Sequence, residues 1–203
     1  MSRWEPGTRE RLEQAALELF VERGFAETTV PQITERAGVT TRTFFRHFSD
    51  KREVLFANET ELPALAARMI AEAAPELSPM EIIAGGFEQV VAAQFAEGAE
   101  HFVARQSVVY ADDGLREREM RKMAALTDAL QQGFLTRGSD ELTAALTAQV
   151  TTTIFGVAIT RWMRDRGATP LPELLHDTLT HLRRVMADPG WIDAQATQPE
   201  SRP

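Results

Sequence analysis

Residues 28–48 decide the fold, and they read TTVPQITERAGVTTRTFFRHF. Thr29 is suited to cap a helix, because Gln32 stands three residues further on and can return the hydrogen bond in a capping box. Pro31 then falls in the first helical turn, where a missing amide proton costs little. The spacing predicts a short helix that continues through 33–37.

A tight turn and another helix follow. Gly38 supplies the positive φ that the turn requires, and Val39 is expected to close the turn from below with an apolar side chain. Thr40 caps a third helix, predicted from Thr41 to Phe48. Two short helices joined by such a turn form a helix-turn-helix.

The segments on either side are also predicted to be helical. Helix 1 is expected from about Thr8 to Arg23 and stops at Gly24. Its apolar stripe consists of Leu12, Ala16, Leu19 and Phe20. Helix 4 is expected to start at Ser49 or Asp50 and to continue, bent at Pro63, to about residue 74.

Proline is absent between Pro79 and Pro170, and glycines fall where an apolar period of 3.6 residues breaks off. Alternation with a period of two, which is typical of strands, is missing over any useful length. Five further helices are predicted, at about 79–98 with Ser78 as its cap, 99–111, 115–137, 140–166 and 171–187. The chain is therefore predicted to be all-α, with about nine helices.

Composition narrows the class of protein. The 203 residues are 43% hydrophobic, enough to bury a core, and the chain has no cysteine, so it has neither disulfides nor thiolate metal sites. Charged residues in 1–14 leave no apolar run for a signal peptide, and a reducing cytoplasm is the expected location. The longest uncharged stretch, 142–160, holds six threonines and is interpreted as soluble core, not as a membrane span.

The net charge of −8 is unevenly distributed. Residues 1–57 hold nine basic and nine acidic side chains, which leaves 13 basic and 21 acidic ones for the rest of the chain. Within 29–52 the basic side chains outnumber the acidic ones; they are Arg36, Arg42, Arg46, Lys51 and Arg52. This basic island on an acidic protein indicates a nucleic-acid contact at the helix-turn-helix.

Motifs of enzymes are missing from the sequence. It contains no glycine-rich nucleotide loop, no His-Glu-x-x-His pair and no Gly-x-Ser-x-Gly elbow, and its four histidines stand at 47, 101, 176 and 181. No catalytic residue, metal site or cofactor is predicted.

The stretch 28–48, together with Ser49, Asp50 and Lys51, resembles the signature of the TetR family of transcriptional regulators, and the resemblance extends over about 8–57. It implies a homodimer that binds a double-stranded DNA operator and answers to a small-molecule effector. Two positions depart from the family pattern: Phe45 stands where tyrosine is usual, and Pro31 where a polar side chain is common. Each departure removes one expected backbone contact.

The third helix has the short polar face that the major groove accepts. Arg42 is the best candidate for a bidentate contact to guanine, and Arg46 is its rival. The resemblance implies phosphate contacts for His47, Lys51 and the start of helix 2. The predicted DNA-binding residues are Thr29, Thr40, Thr41, Arg42, Thr43, Phe45, Arg46, His47 and Lys51.

Helices 8 and 9 are predicted to form the dimer. Helix 8 has no charge over 142–160, and such a helix needs cover on all sides. Two helices from each subunit would make a four-helix interface, as the resemblance also implies. Its predicted residues are Val150, Ile154, Leu171, Leu175, Leu182 and Met186. Two-fold symmetry would place the recognition helices about 34 to 36 Å apart on a palindromic operator.

Helices 5 to 7 and one side of helix 8 are expected to enclose the effector pocket, with room near Gly85 and Gly86. The predicted lining residues are Phe87, Gln94, Phe95, Phe102, Arg105, Gln106, Tyr110, Met123, Thr127, Phe155 and Trp162. The stretch 108–121 resembles the C-terminal domain of actinobacterial TetR regulators related to the mycofactocin-system regulator, which names no ligand. By family analogy, bound effector would move helix 4 and thereby separate the two DNA heads.

The predicted organisation is a DNA-binding domain over 1–52, an effector-binding and dimerisation domain over 53–187, and a disordered tail over 188–203. The main alternative is a ligand-binding helical dimer that has lost functional DNA binding, and an enzyme is the further alternative.

Overall fold

A computed structural model describes residues 7–56, 61–94 and 98–188, without the side chains of 92–94. The described residues contain α-helices and no strand, which confirms the all-α prediction, and they include one 3₁₀-helix that the sequence did not predict. The α-helices are α1 (Thr8–Arg23), α2 (Val30–Arg36), α3 (Thr41–His47), α4 (Glu61–Glu72), α5 (Pro79–Gln94), α6 (Gly98–Ala111), α7 (Asp113–Thr136), α8 (Glu141–Arg164) and α9 (Leu171–Met186).

Helix α1 has the predicted bounds and buries the predicted stripe. Leu12 and Phe20 lie in the core of the N-terminal helices. The helix ends at Gly24, whose φ of +88° is open to glycine at no steric cost and whose N–H donates to the Phe20 carbonyl at 2.9 Å.

Helix α2 begins as the capping pattern predicts. The Gln32 side-chain oxygen accepts from the Thr29 amide at 2.8 Å and from the Thr29 hydroxyl at 3.0 Å. Pro31 lies in the first turn, where its missing N–H leaves no helical bond unmade.

The turn between α2 and α3 is closed by local bonds. Gly38 has φ +67°, and the Val39 amide after it donates to the Thr34 carbonyl at 2.9 Å. Thr40 then caps α3, since its hydroxyl accepts from the Thr43 amide at 3.2 Å. The predicted helix-turn-helix is therefore present.

The predicted start of helix 4 is wrong. The Asp50 carboxylate accepts from the amides of Arg52 at 2.7 Å and Glu53 at 3.1 Å, which closes a turn where a helix was expected. A 3₁₀-helix, Glu53–Leu55, follows this turn, and α4 is described from Glu61.

Capping side chains fix the C-terminal helices. The Ser78 amide and hydroxyl both donate to the Glu81 carboxylate, at 2.8 and 2.6 Å, in the predicted capping box of α5. Asp112 caps α7 by accepting from the Leu115 amide at 3.0 Å, which starts this helix two residues earlier than predicted. Across the bundle, Arg137 donates to the carbonyls at the end of α4, including that of Ala73 at 2.8 Å.

The room expected near Gly85 and Gly86 is partly filled. A Cβ on Gly86 would overlap the Met69 side chain of α4, so the glycine allows α4 and α5 to approach closely. Gly85 has open space around it.

Two apolar cores organise the chain. The N-terminal core joins α1–α3 and also contains Val54, Leu55 and Phe56, which lie beyond the boundary proposed at residue 52. The C-terminal core is made by α4, α5 and α7–α9, with α7 packed between α4 and α8. Helix α6 contributes to both cores.

Candidate functional site

Helix α3 presents one polar and cationic face to solvent. The residues that share this exposed face are Thr41, Arg42, Phe45 and Arg46. Phe44 and Phe48 are buried beneath it with their rings 5.4 Å apart, so the inner side of the helix is fixed by packing. The exposed ring of Phe45, at 55% of its full accessibility, stands edge-on to Phe44.

Arg42 and Arg46 are available for an external partner. Within the described residues, neither guanidinium forms a hydrogen bond or an ion pair. Such a pair on the outer side of a recognition helix has the donors that guanine edges and phosphates accept.

Two other predicted residues of α3 have restricted access. Thr43 is half-buried, and its hydroxyl lies 2.9 Å from the Thr40 hydroxyl. His47 is half-buried with its Nε2 enclosed and without a hydrogen-bond partner, so the other ring nitrogen, Nδ1, is the atom left to meet a phosphate.

Lys51 has partners that the sequence analysis did not anticipate. Its Nζ donates to the carbonyls of Phe25, Ala26 and Thr28 at 2.6, 3.1 and 2.8 Å, and it lies 4.4 Å from the centre of the Phe25 ring. All three ammonium protons are therefore used in closing the loop between α1 and α2. Burial lowers the pKa of the Lys51 ammonium from its ordinary value. In this arrangement Lys51 stabilises the loop and has no proton left for a phosphate.

Arg36 is likewise held inside the domain. It donates to Glu22 at 3.0 and 2.9 Å and to Glu18 at 3.2 Å, both on α1. The hydrogen bonds to Glu22 and Glu18 raise the pKa of the Arg36 guanidinium, and the bond from Arg36 lowers that of the Glu22 carboxyl. The basic island predicted from the sequence is thus reduced at its surface to Arg42, Arg46 and Arg52, which lies 3.5 Å from Asp50.

Five of the predicted pocket residues are brought together by the C-terminal core. They are Phe87, Phe102, Met123, Phe155 and Trp162. The rings of Phe102 and Trp162 lie 5.7 Å apart, and Thr127 is half-buried, with its hydroxyl donating to the Met123 carbonyl at 3.1 Å.

The other predicted pocket residues lie elsewhere. Tyr110 is a correction, because 59% of its surface is exposed on the outside of α6. Arg105 and Gln106 lie where α6 meets α7, and Arg105 Nε donates to the Leu55 carbonyl of the 3₁₀-helix at 2.8 Å. Phe95 and the side chain of Gln94 lie outside the described residues.

A cleft between α1 and α6 was missed by the sequence analysis. It has a volume of about 730 Å³ and joins apolar and acidic side chains, among them Leu17, Val21, Glu18 and Glu100. Its walls come from helices about 80 residues apart in the chain, so no local pattern pointed to it. Among the described residues, His, Asp and Glu side chains do not gather in a group that could hold a metal ion.

The predicted dimer residues need correction. Ile154, Leu171 and Leu175 are buried in the core of their own subunit and cannot contact a partner. Val150 and Leu182 are half-buried against the same core, whereas Met186 is exposed.

A different stripe of α8 is exposed in the subunit. It follows the helical spacing of three and four residues and consists of Leu142, Leu146, Gln149, Thr153, Val157 and Thr160. Leu142 is 67% exposed and Leu146 56%, and with Val157 they leave apolar surface along this stripe in contact with solvent. By length and composition α8 is apolar enough to cross a membrane, but its opposite side packs against α7 and α9. We call this exposed stripe the α8 face.

Comparison with known proteins agrees with this geometry. Residues 13–57, which contain the helix-turn-helix, match the family model of the bacterial regulatory proteins of the tetR family. The HTH-type transcriptional regulator TcmR of Streptomyces glaucescens is 32% identical over 138 residues, which cover 66% of this chain and 54% of TcmR. The chain thus spans about half the length of this curated relative.

Solved structures of similar fold cover almost the whole chain. Thermus thermophilus FadR, a TetR family repressor in complex with lauroyl-CoA, has a TM-score of 0.53 and 23% identity, covering 96% of this chain and 98% of its own. The SmeT–triclosan complex has a TM-score of 0.59 and 20% identity, and the match covers 86% of this chain and 90% of the SmeT chain. These likenesses show the fold. The match to the tetR family model thus covers the helix-turn-helix region, 13–57, and the likeness of the chain to these solved structures is one of fold.

Proposed function

We propose that the protein is a sequence-specific DNA-binding regulator that reads an operator with the exposed face of α3. The observation that carries this proposal is the pair Arg42 and Arg46, exposed and free of internal partners in the described chain. Thr40, Thr41 and Phe45 complete the face that would enter the major groove.

The phosphate contacts follow from the ends of the helices. The positive end of the α2 dipole, at Thr29 and Val30, favours an anion, although the Thr29 amide donates to Gln32 and Pro31 has no N–H. Nδ1 of His47 would supply a second contact. Lys51 acts indirectly, because its ammonium holds the loop that precedes α2. We expect its positive charge to add to the local field without a direct bond to DNA.

The protein would bind its operator as a homodimer through the α8 face. Leu142, Leu146 and Val157 of one subunit would pack against the same residues of the other, as a two-fold interface requires. Exposed Met186 near the end of α9 would extend the contact. Two-fold symmetry then favours a palindromic operator whose half-sites are about 34 to 36 Å apart.

The C-terminal core would hold a small-molecule effector that releases DNA. Aromatic and methionine side chains of α5–α8, such as Phe102, Met123 and Phe155, offer an apolar lining. The lauroyl-CoA and triclosan bound to the two structural relatives favour an apolar or amphiphilic effector here. The resemblance of 108–121 to mycofactocin-related regulators is the basis on which we infer that subtype.

We infer a binding protein of the cytoplasm, where chromosomal DNA is accessible, and not an enzyme. The DNA-binding domain would include the 3₁₀-helix, since Val54, Leu55 and Phe56 lie in the N-terminal core. The C-terminal domain would follow the connection to α4.

The test is binding to DNA fragments from beside the protein's own gene, with the Arg42→Ala, Arg46→Ala double variant in parallel. The matched control is Arg116→Ala, Arg121→Ala, which removes two exposed arginines of α7. We expect selective binding that the first variant loses and the control keeps, and an affinity that falls steeply as salt is raised. Absence of selective binding at low salt would favour the ligand-binding dimer.

A further inference from the structure

Helix α6 joins the two domains. It packs across α1, and its second half contributes Val108 and Val109 to the N-terminal core. Its first half, with Ala99 and Phe102, packs against the C-terminal core. Among the described helices of the C-terminal domain, α6 therefore makes the broad contact with the DNA-binding domain, whereas α4 packs on α5 and α7.

Two arginines of the C-terminal domain converge on Phe56, a buried ring at the end of the 3₁₀-helix. The guanidinium carbon of Arg105, on α6, lies 5.1 Å from the ring centre, and that of Arg118, on α7, lies 4.6 Å from it. Both distances are within the range of cation–π attraction.

The same arginines also bind the 3₁₀-helix itself. Arg105 Nε donates to the Leu55 carbonyl at 2.8 Å, and Arg118 Nη1 donates to the Glu53 carboxylate at 2.7 Å. Three of the four residues 53–56 are thus held by side chains of two helices from the other domain. We call this set, Glu53, Leu55, Phe56, Arg105 and Arg118, the arginine clamp.

The clamp is shielded and charge-balanced. Arg105 Nη2 donates to Glu119 at 2.9 Å, and only 13% and 15% of the two side chains are exposed. Burial by itself raises the pKa of the Glu119 carboxyl, but the charges of Arg105 and Lys122 and the bonds from Arg105 and Gln106 outweigh it and leave the pKa below its ordinary value. Geometry of this kind resists small rotations, because each charge has its partner fixed.

Two polar atoms beside the clamp are not satisfied. Arg105 Nη1 and the Gln106 side-chain oxygen are buried and lack a hydrogen-bond partner. Buried polar groups normally have hydrogen-bond partners, so leaving these two atoms without one costs free energy at the contact between α6 and the 3₁₀-helix.

We propose that Arg105 and Arg118 are positioning residues, which set the orientation of the DNA-binding domain by holding Phe56 and the 3₁₀-helix. The inference rests on the proposed function, because the orientation of the DNA-binding domain matters only if α3 must enter the major groove of DNA. It also assigns the route between the domains to α6 and α7, where the sequence analysis expected helix 4.

The test measures this orientation directly and needs no DNA. Because the chain has no cysteine, Arg23→Cys on α1 and Asp128→Cys on α7 provide two specific attachment sites for spin labels, both exposed. Labelled chain is diluted with unlabelled chain, so that paramagnetic resonance reports the distance within one chain. The label pair is placed in the otherwise unaltered chain, in Arg105→Met, Arg118→Met, and in the control Arg116→Met, Arg121→Met.

We expect a narrow distance distribution in the unaltered chain and in the control, and a broadened distribution, or one shifted by several ångströms, in the clamp variant. Phe56→Leu, which keeps an apolar residue in the core, should broaden it as well. Arg105→Lys, Arg118→Lys, which keeps the charges, should restore part of the narrow distribution. Circular dichroism identifies a variant that fails to fold. If the clamp variant does not fold, the distance distributions of Arg105→Lys, Arg118→Lys and of Phe56→Leu test the proposal in its place.

A clamp variant that folds and keeps the narrow distribution would overturn the proposal. If the unaltered chain binds no operator but the distances respond as expected, the proposed function fails and the positioning role stands. If the unaltered chain binds an operator, we expect Arg105→Met, Arg118→Met to bind it about tenfold more weakly, because misaligned DNA-binding domains lose part of their contacts. Non-specific binding at low salt should stay the same.

Discussion

The face of α3 and the α8 face are both exposed in the subunit, and they differ in chemistry. The first carries Arg42 and Arg46 without internal partners, and the second carries Leu142 and Leu146 more than half exposed. A polar cationic surface loses little by standing in water, whereas an exposed leucine stripe gains free energy when it is covered. The comparison teaches that equal exposure predicts different partners: a polyanion for α3 and a second copy of the chain for α8.

The largest expected effect is dissociation of the dimer that we propose to form through the α8 face. Leu142→Asp, Leu146→Asp places four carboxylates in the dimer interface that we propose for the α8 face, and each costs several kcal/mol when it is buried without a partner. The dimer should dissociate with a Kd raised more than about 1000-fold, as measured by sedimentation. The subunit itself should keep its helical content, because both leucines are exposed in it.

Met120→Asp is the matched control, since Met120 is an exposed apolar residue of α7 away from this stripe. A variant that stays dimeric with aspartate at both positions would place the interface elsewhere.

Single variants of Arg42 and Arg46 test which of the two arginines reads bases and which contacts phosphates. Arg42 lies in the first turn of α3, and the first residues of a recognition helix meet base edges, so Arg42→Ala should cost ~1 to 3 kcal/mol and relax the preference at one operator position. Arg46→Ala should weaken binding to all sequences alike and reduce the salt slope by about 1. Selection from randomised operators measures the first effect, and salt titration measures the second. Exchanged behaviour of the two variants would make Arg46 the base reader.

Variants of Lys51 test whether this lysine stabilises the fold or contacts DNA. Lys51→Met removes three bonds to carbonyls of the loop before α2, and we expect a loss of about 2 to 3 kcal/mol in the free energy of unfolding by denaturant. Arg52→Met, next to it on the surface, should cost less than about 1 kcal/mol. Unchanged stability with weakened DNA binding would return Lys51 to the phosphate contacts of the sequence analysis.

The smallest expected effect concerns the turn that aims α3. Gly38→Ala puts a Cβ on a residue with φ +67°, a conformation that costs an L-residue ~1 to 2 kcal/mol, partly offset by a less flexible unfolded chain. We expect a net loss of about 1 kcal/mol in thermal unfolding. Gly85→Ala, inside α5 with open space around it, should be neutral or stabilising by up to about 1 kcal/mol. A neutral Gly38→Ala would mean that the turn adjusts.

Local chemistry explains what the sequence predicts well. The bounds of α1, the caps at Thr29 and Thr40 and the turn at Gly38 depend on residues within four positions of each other, and all agree with the structure. Asp50 shows the limit of the same reasoning, because its side chain closes a turn where a helix start was expected.

Contacts between distant residues explain what could not be predicted. Lys51 reaches carbonyls more than 20 residues earlier in the chain, and Arg105 reaches one 50 residues away. Helix α8 is apolar on several sides, so its pattern could not tell the face that packs inward at Ile154 from the one that stays exposed at Leu146. The helices of the C-terminal domain were predictable, but their orientation was not.

The division of α6 between the two cores has a consequence for protein engineering. Val108, Val109 and Leu115 are buried among side chains of α1 and its neighbours, so a graft of residues 7–56 alone onto another effector domain would leave a gap in the transplanted core. A modular exchange should therefore carry the second half of α6 and the first turn of α7 with the head, as a discontinuous cassette. The boundary suited to such an exchange lies within α6, at about its midpoint, and not at the connection between the 3₁₀-helix and α4.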